Sequence, residues 1–391
     1  MKPSPAYLAL NAATAWIGPV RFHQLLQRFG SAGSVLKARA GQISATVSVL
    51  TPDQAQALLD FCAAFDAGME LNLQLQQGAL LLAFDDPAYP ARLRQIPDPP
   101  PLLYVKGQLP PPGAVVVAVV GTREPTEYGR RMARGIAAGL ARAGVWVVSG
   151  LAKGIDAEAH TACLDAGGKT LAVLGTGLNK VYPAENKALA ERIAQGGGAL
   201  LSQFAMASGG NKMHFPMRNG VISGLSLGVV VVEGERDSGS LITAHRALDQ
   251  DREVFAVPGM ADVPQAQGPL ELIQQGAKLV RSADEVLEEL GLRARRPRSR
   301  SVSVALPQGP AALAALALGT GQAQLALDLQ PGSPAEKAWL ALQPAGRLDL
   351  DGLAAAAGLN AWEAAAAVTE LELLGAVRQL PGSIFESLGA R

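Results

Sequence analysis

Hydrophobic positions follow two rhythms along this chain. Short, near-continuous apolar runs occur at 115–120, 145–149, 170–174, 199–202, 227–232 and 253–257, with a shorter one near 278–280. Runs without a polar alternation predict strands covered on both faces, as a parallel sheet requires. The segments between them, at 127–143, 156–166, 185–195, 241–250, 269–275 and 283–290, predict helices. Strict strand–helix alternation predicts an α/β sheet with helices on its faces. The organising stretch is Val115 to Gly154, a strand–helix–strand unit whose loops open at the strand carboxyl ends. In open parallel sheets ligands sit at that edge.

The flanks read differently. Residues 1–76 predict short helices: Gly18-Pro19 and Thr51-Pro52 mark two starts, and Gly30 marks an end. This pattern resembles helix–hairpin–helix or SAM-like modules, and a plain packing bundle fits it as well. Prolines punctuate Phe84–Pro101, and Leu102–Lys106 predicts a strand. Residues 291–333, with Arg293, Arg295, Arg296, Arg298 and Arg300 among Pro and Ser and then an Ala/Gly/Gln stretch, read as a linker. Residues 334–391 predict a winged helix: one helix at 350–357, a turn at Gly358-Leu359-Asn360, a second helix at 361–374, and a wing from 376–378 and 383–385. The expected division is therefore 1–76, 77–290, 291–333 and 334–391.

Composition narrows the function. The 34 basic and 34 acidic residues cancel, so a polyanion can be met only by a local patch. The second helix of the winged-helix segment has no Lys or Arg, and that segment holds four basic against seven acidic residues. A DNA reader needs cations there, so a protein contact or packing role is favoured. The two cysteines, Cys62 and Cys163, lack metal or redox spacing, which fits a reducing cytoplasm. The start shows no signal-peptide pattern, and no run makes a convincing membrane span.

The chemistry should lie in the loops. Gly121-Thr122-Arg123 closes the first strand of the alternation, but G-x-G-x-x-G is absent, so a dinucleotide turn is not supported. Arg123 offers a fork of donors to a phosphate, or it pairs with Glu124 or Asp156; the two readings stand level. Ser149-Gly150 to Lys153-Gly154 closes the next strand, and the helix starting near Asp156 aims its positive end there. His160 reads as a packing histidine. Gly175-Thr176-Gly177 leads to Lys180 and Tyr182, a charge and a stacking face suited to a nucleic-acid strand, or else a solvated lysine beside a packed ring. The connection Phe215–Gly224 carries Arg218 and Asn219, and Ser238-Gly239-Ser240 opens another helix. H-E-x-x-H, C-x-x-C and G-x-S-x-G are all missing.

Six stretches, VVGTREPTEYG, VSGLAKGIDAEAH, AVLGTGLNKVYPAEN, HFPMRNGVISGLS, VVEGERDSGSLITAHRAL and VFAVPG, occur in one order across about residues 84–290. In them the chain resembles the DNA-processing protein A (DprA/Smf) family. The resemblance implies an extended Rossmann-like, doubly wound domain flanked by a helical SAM-like domain and a winged helix. It implies a homodimer that binds single-stranded DNA and loads RecA recombinase in natural transformation, without catalysis, cofactor or metal. By motif, the family's anion pocket falls on Arg123, Ser149, Gly150, Lys153, Gly154, Lys180, Arg218 and Asn219. Gly220 stands where the family's second Arg is expected, Gln203 where a Glu is, and an Asn is replaced near Leu270. These departures imply weaker or redistributed DNA binding. Two other functions were weighed. A nucleotide phosphoribohydrolase would need a P-G-G-x-G-T-x-x-E loop, which is absent, and a winged-helix transcription regulator is opposed by the acidic terminus.

Overall fold

The computed structural model describes residues 3–292, 329, 332–374, 376–380 and 384–387. The expected linker, with its arginine run, lies outside the described residues except at its ends. The chain forms two compact units, 1–298 and 299–391.

In the first unit six helices come first: α1 (Pro5–Ile17), α2 (Pro19–Phe29), α3 (Ala32–Leu36), α4 (Ala40–Thr46), α5 (Pro52–Ala64) and α6 (Ala67–Gln76). Their starts are written locally. Ser4 Oγ accepts from Tyr7 N, and Thr51 and Gln54 cap each other's backbone at the head of α5. Then follow β1 (Leu80–Ala83), α7 (Ala91–Arg94), β2 (Leu102–Gly107), β3 (Val116–Val120), α8 (Glu127–Arg142), β4 (Trp146–Ser149), α9 (Ile155–Asp165), β5 (Thr170–Val173), α10 (Lys187–Gln195) and β6 (Ala199–Ser202). The run ends with α11 (His214–Leu225), β7 (Gly228–Val231), α12 (Gly239–Asp249), β8 (Glu253–Ala256), α13 (Gln267–Gln274), β9 (Lys278–Leu279) and α14 (Ala283–Glu289).

The nine strands form one sheet in the order β1-β2-β6-β5-β4-β3-β7-β8-β9. Strands β3 to β9 run parallel, while β2 pairs antiparallel with both β1 and β6. The chain winds outward from β3 to β6 and then returns to the other side of β3. That reversal opens a crevice at the carboxyl ends of β3 and β7. The pleat sorts the valines by face. Val117 and Val119 pack beneath α8, α9 and α14, whereas Val116, Ala118 and Val120 join the core under α11, α12 and α13.

The helical amino-terminal region is bound to this sheet. Leu8 of α1 and Tyr104 of β2, both fully buried, share a core with Leu174, Leu200 and Ile193. Tyr7 Oη donates to Pro101 O at 2.8 Å, and Glu70 accepts from Met206 N at 2.8 Å.

Three elements differ from the sequence reading. Leu80–Ala83 is a strand, Ala91–Arg94 is a helical turn, and the expected connection Phe215–Gly224 is helix α11. Pro216 sits in the first turn of α11, where its missing N–H costs nothing. Gly224, further along, lets the helix close on Leu93 and Ile96.

The second unit packs α15 (Pro334–Ala345), α16 (Leu350–Ala357) and α17 (Ala361–Leu373) against a three-stranded antiparallel sheet of β10 (Arg347–Asp349), β12 (Ile384–Ser387) and β11 (Val377–Leu380). Its core holds Trp339, Leu342, Leu353, Leu371 and Phe385. Gly358 is left-handed at the turn, and Asn360 with Glu363 forms a capping box at the head of α17.

Two stability tests follow from this packing. Leu8→Ala is expected to cost about 2–5 kcal/mol. In urea unfolding followed by far-UV circular dichroism, that loss should lower the midpoint of the sheet as well as of the helices. His160 is fully buried, and its Nδ1 lies 2.7 Å from Thr170 Oγ1. Burial first, and the Arg218 charge second, push its imidazole down to about 3. The unfolded chain therefore binds a proton that the folded one refuses between about pH 6.5 and that value. Stability from neutral His160 is complete above this window and falls as pH drops through it, by on the order of 1.4 kcal/mol per pH unit. Denaturation midpoints measured from pH 7 to pH 4 should show this slope in the parent and a shallower one in His160→Gln.

Candidate nucleic-acid interface

The crevice at the switch point is a cleft of about 450 Å³. Its walls come from the turn after β3 (Gly121, Thr122, Arg123), from Arg218 and Asn219 of α11, and from Ser238, Gly239 and Ser240 at the start of α12. A smaller recess of about 40 Å³ adjoins it and shares Arg123, Phe215 and Arg218. Gly150, Lys153, Gly175 and Tyr182 complete that recess. Twelve of the sequence-predicted residues thus line one continuous depression. Ser149, Gly154, Gly177 and Lys180 do not. Ser149 is buried and donates to Val119 O at 2.7 Å. Gly154, with φ of 76°, turns the chain into α9 beside Thr122 O and Arg123 O. Gly177 is packed under the carbonyls of Ala205 and Met206. Lys180 is exposed on the loop outside.

Two of the protein's own carboxylates take up backbone donors at this edge. Glu233, at the end of β7 and 4% exposed, accepts from Thr126 N at 2.9 Å and from Thr126 Oγ1 at 2.5 Å at the head of α8. Asp156, in the first turn of α9 and 6% exposed, accepts from Gly150 N at 3.1 Å and Ala152 N at 3.3 Å in the loop before that helix. Burial raises the Asp156 pKa, and the Arg218 charge and these amides pull it back. Glu233 thus takes up the head of α8, while the start of α12 lines the cleft. Amides expected from the Gly150–Gly154 loop serve Asp156.

Arg218 also differs from its expected part. It is 5% exposed, and its Nη1 donates to Gly150 O and, at 2.8 Å, to Val173 O. It therefore ties together the ends of β4 and β5. A side chain on Gly150 would collide with that guanidinium, so the glycine makes room for a protein cation rather than for a ligand. Asn219 Nδ2 donates to Gly239 O at 3.0 Å and so sets the start of α12. Gln250 Nε2 reaches Gly220 O at 3.1 Å, and space near Gly220 is open as far as that amide, 3.8 Å from where a Cβ would stand.

Phe215 is the residue the sequence reading passed over. It lines both parts of the depression. Arg123 Cζ lies 5.7 Å and Arg218 Cζ 5.8 Å from its ring centre, and the exposed Tyr182 ring lies 6.0 Å away. Gly175 provides its space, since a Cβ there would sit 2.8 Å from the Phe215 ring. Arg123 is exposed, and Lys153 Nζ pairs with Glu185 at 2.6 Å. An exposed pair of this kind exchanges partners at little cost. The wider part of the cleft carries Glu124, Glu235 and Asp237, so the positive potential concentrates in the recess. The depression offers exposed cations beside aromatic faces, an arrangement that takes phosphate and base together.

Comparison with known proteins identifies the family. The family model described as DNA recombination-mediator protein A matches residues 80–291, and that of the DprA winged helix domain matches residues 326–383. The DNA processing protein DprA of Bacillus subtilis is 45% identical over 216 residues, covering 55% of this chain and 72% of the relative. Protein Smf of a Synechocystis species is 39% identical over 293 residues, covering 73% and 72%. The crystal structure of DprA from Streptococcus pneumoniae superposes with a TM-score of 0.63 at 35% identity, over 74% of this chain and 99% of that one. The folded core, the winged helix and the residues around the cleft lead to one assignment: this chain belongs to the DNA recombination-mediator protein A (DprA/Smf) family.

Proposed function

We propose that the cleft and its recess grip the backbone of single-stranded DNA without regard to sequence, and that the chain delivers that strand to RecA recombinase in the cytoplasm during natural transformation. The observation that carries this reading is Phe215, set between Arg123, Arg218 and Tyr182. A base stacks on an aromatic face whatever its identity, while neighbouring cations hold the phosphates. Family membership supports the mediator role. The protein binds and does not cut. The buried acids Glu233 and Asp156 are engaged with backbone amides, which leaves neither free to activate a nucleophile.

The protein acts as a homodimer. The two-residue strand β9 ends the sheet as an open edge, and the exposed Leu279 on it and Leu248 nearby are 41% and 55% accessible. A second copy covering them removes both the open edge and the apolar surface from water. Sedimentation should therefore report a dimer for the parent chain and a monomer for Leu279→Asp; a dimer that survives the substitution removes β9 from the interface.

A salt-series titration with oligodeoxythymidylate separates the two arginines. Arg123→Ala should weaken binding about tenfold and flatten the slope of log affinity against log salt by about 0.7, the loss of one phosphate contact on a single strand. Arg218→Lys should weaken binding while keeping the slope, because a lysine retains the charge but cannot reach both strand-end carbonyls. Duplex DNA of equal length should compete poorly. Unchanged affinity and slope for Arg123→Ala would remove the cleft from DNA binding.

A further inference from the structure

Lys180 stands outside the cleft, and its loop shows a second use. The segment from Leu178 to Ala184 has two sides. Tyr182 and Pro183 line the cationic recess. Leu178, Asn179, Val181 and Ala184 line a different groove, about 490 Å³ in volume. The opposite wall of that groove carries Lys106 of β2 and Lys187 of α10. Lys106 Nζ donates to Gln77 Oε1 at 2.9 Å, and Gln77 Nε2 donates to Asn179 Oδ1 at 3.2 Å. Neutral amides thus hold the ammonium in the groove. Glu191 is the one carboxylate in the groove wall among the described residues. The loop crest that separates groove from recess carries the exposed Lys180 and Tyr182, the latter 55% accessible.

We propose that this groove is a second subsite for the sugar–phosphate backbone of the same strand. A single strand leaving the recess crosses the Tyr182 ring, passes Lys180, and lays a phosphate between Lys106 and Lys187. The chain thereby holds a longer stretch than the cleft alone admits, and the sequence-predicted Lys180 becomes the bridge between two binding places. This inference rests on the reading of the cleft as a single-strand site. The ligand class is the same in both places, a polyanionic backbone met by lysine point charges and one exposed aromatic ring.

The test uses the full chain and two oligodeoxythymidylates, one short enough to fill only the cleft and one several times longer. The variant is Lys106→Gln with Lys187→Gln, which removes two charges and keeps a donor at each position. The longer oligomer should bind about tenfold more weakly, with a slope against log salt shallower by about 0.7, the loss of one single-strand phosphate contact. The short oligomer should bind as it does to the parent, which also shows that the variant is folded. Lys106→Arg with Lys187→Arg should restore the longer oligomer's affinity. Parental affinity and slope for the longer oligomer in the glutamine variant would overturn the groove, as would an equal loss on both lengths. Failure of the cleft reading looks different: Arg123→Ala would then leave the short oligomer unaffected.

Discussion

Two carboxylates set the terms of this site. Glu233 accepts from Thr126 at the head of α8, and Asp156, in the first turn of α9, accepts from the amides of Gly150 and Ala152 in the loop before it. The fold keeps its crevice at the strand-order reversal but turns these backbone donors inward. A helix terminus holds one anion in one orientation and so selects a single nucleotide. Exposed Arg and Lys side chains hold a repeating backbone with tolerance for its path. Moving the cationic task from fixed amides to Arg123 and Lys153 suits a polymer.

The charge is sorted on a scale much shorter than the molecule. The chain as a whole is neutral, with 34 residues of each sign. Within the depression the recess gathers Arg123, Lys153 and Arg218, while the wider cleft carries Glu124, Glu235 and Asp237. On the proposed function, a phosphate is drawn to the recess, and the acidic margin disfavours a second backbone beside it. Duplex DNA would have to place both of its strands there, so this contrast favours one strand over two. Helix α17 continues the sorting: it carries Glu363, Glu370 and Glu372 and no basic residue, with Trp362 exposed at its start. It carries no cation that could meet a phosphate.

Much of this was legible in the amino-acid sequence, and the failures have physical causes. The valine-rich strands from β3 to β8 and the helices between them were readable because burial on both faces removes polar residues from the strand interiors. Strand β1 was missed because four residues at a sheet edge resemble the end of a preceding helix. Helix α11 was missed because its glycines, serine and proline are weak helix formers, selected for close packing against Leu93 and Ile96. The structure gathers most of the expected loop residues at one depression, with some partners other than those expected. A glycine in sequence announces a close approach without saying what approaches. At Gly150 it is Arg218, and at Gly175 it is Phe215. The glycine at 175 was therefore a signal for the aromatic ring, one that became readable only with the fold in hand.

Arg218 shows why a charge is kept where burying it costs free energy. Its guanidinium is 5% exposed, and burial lowers its pKa despite the neighbouring Asp156. An apolar residue of the same volume would avoid that desolvation, but it would leave Gly150 O and Val173 O, at the ends of adjacent strands, without their donor. Unpaired buried carbonyls cost about as much as the bonds they lose. The loop after β4 also contains Leu151 at a φ of 57°, a conformation that an L-residue holds only when its surroundings impose it. Asp156 on its amides, Arg218 on its carbonyl and Asn186, which donates to Leu151 O at 2.9 Å, supply that imposition. The buried cation is thus part of the frame that holds Lys153 and Phe215 at the recess.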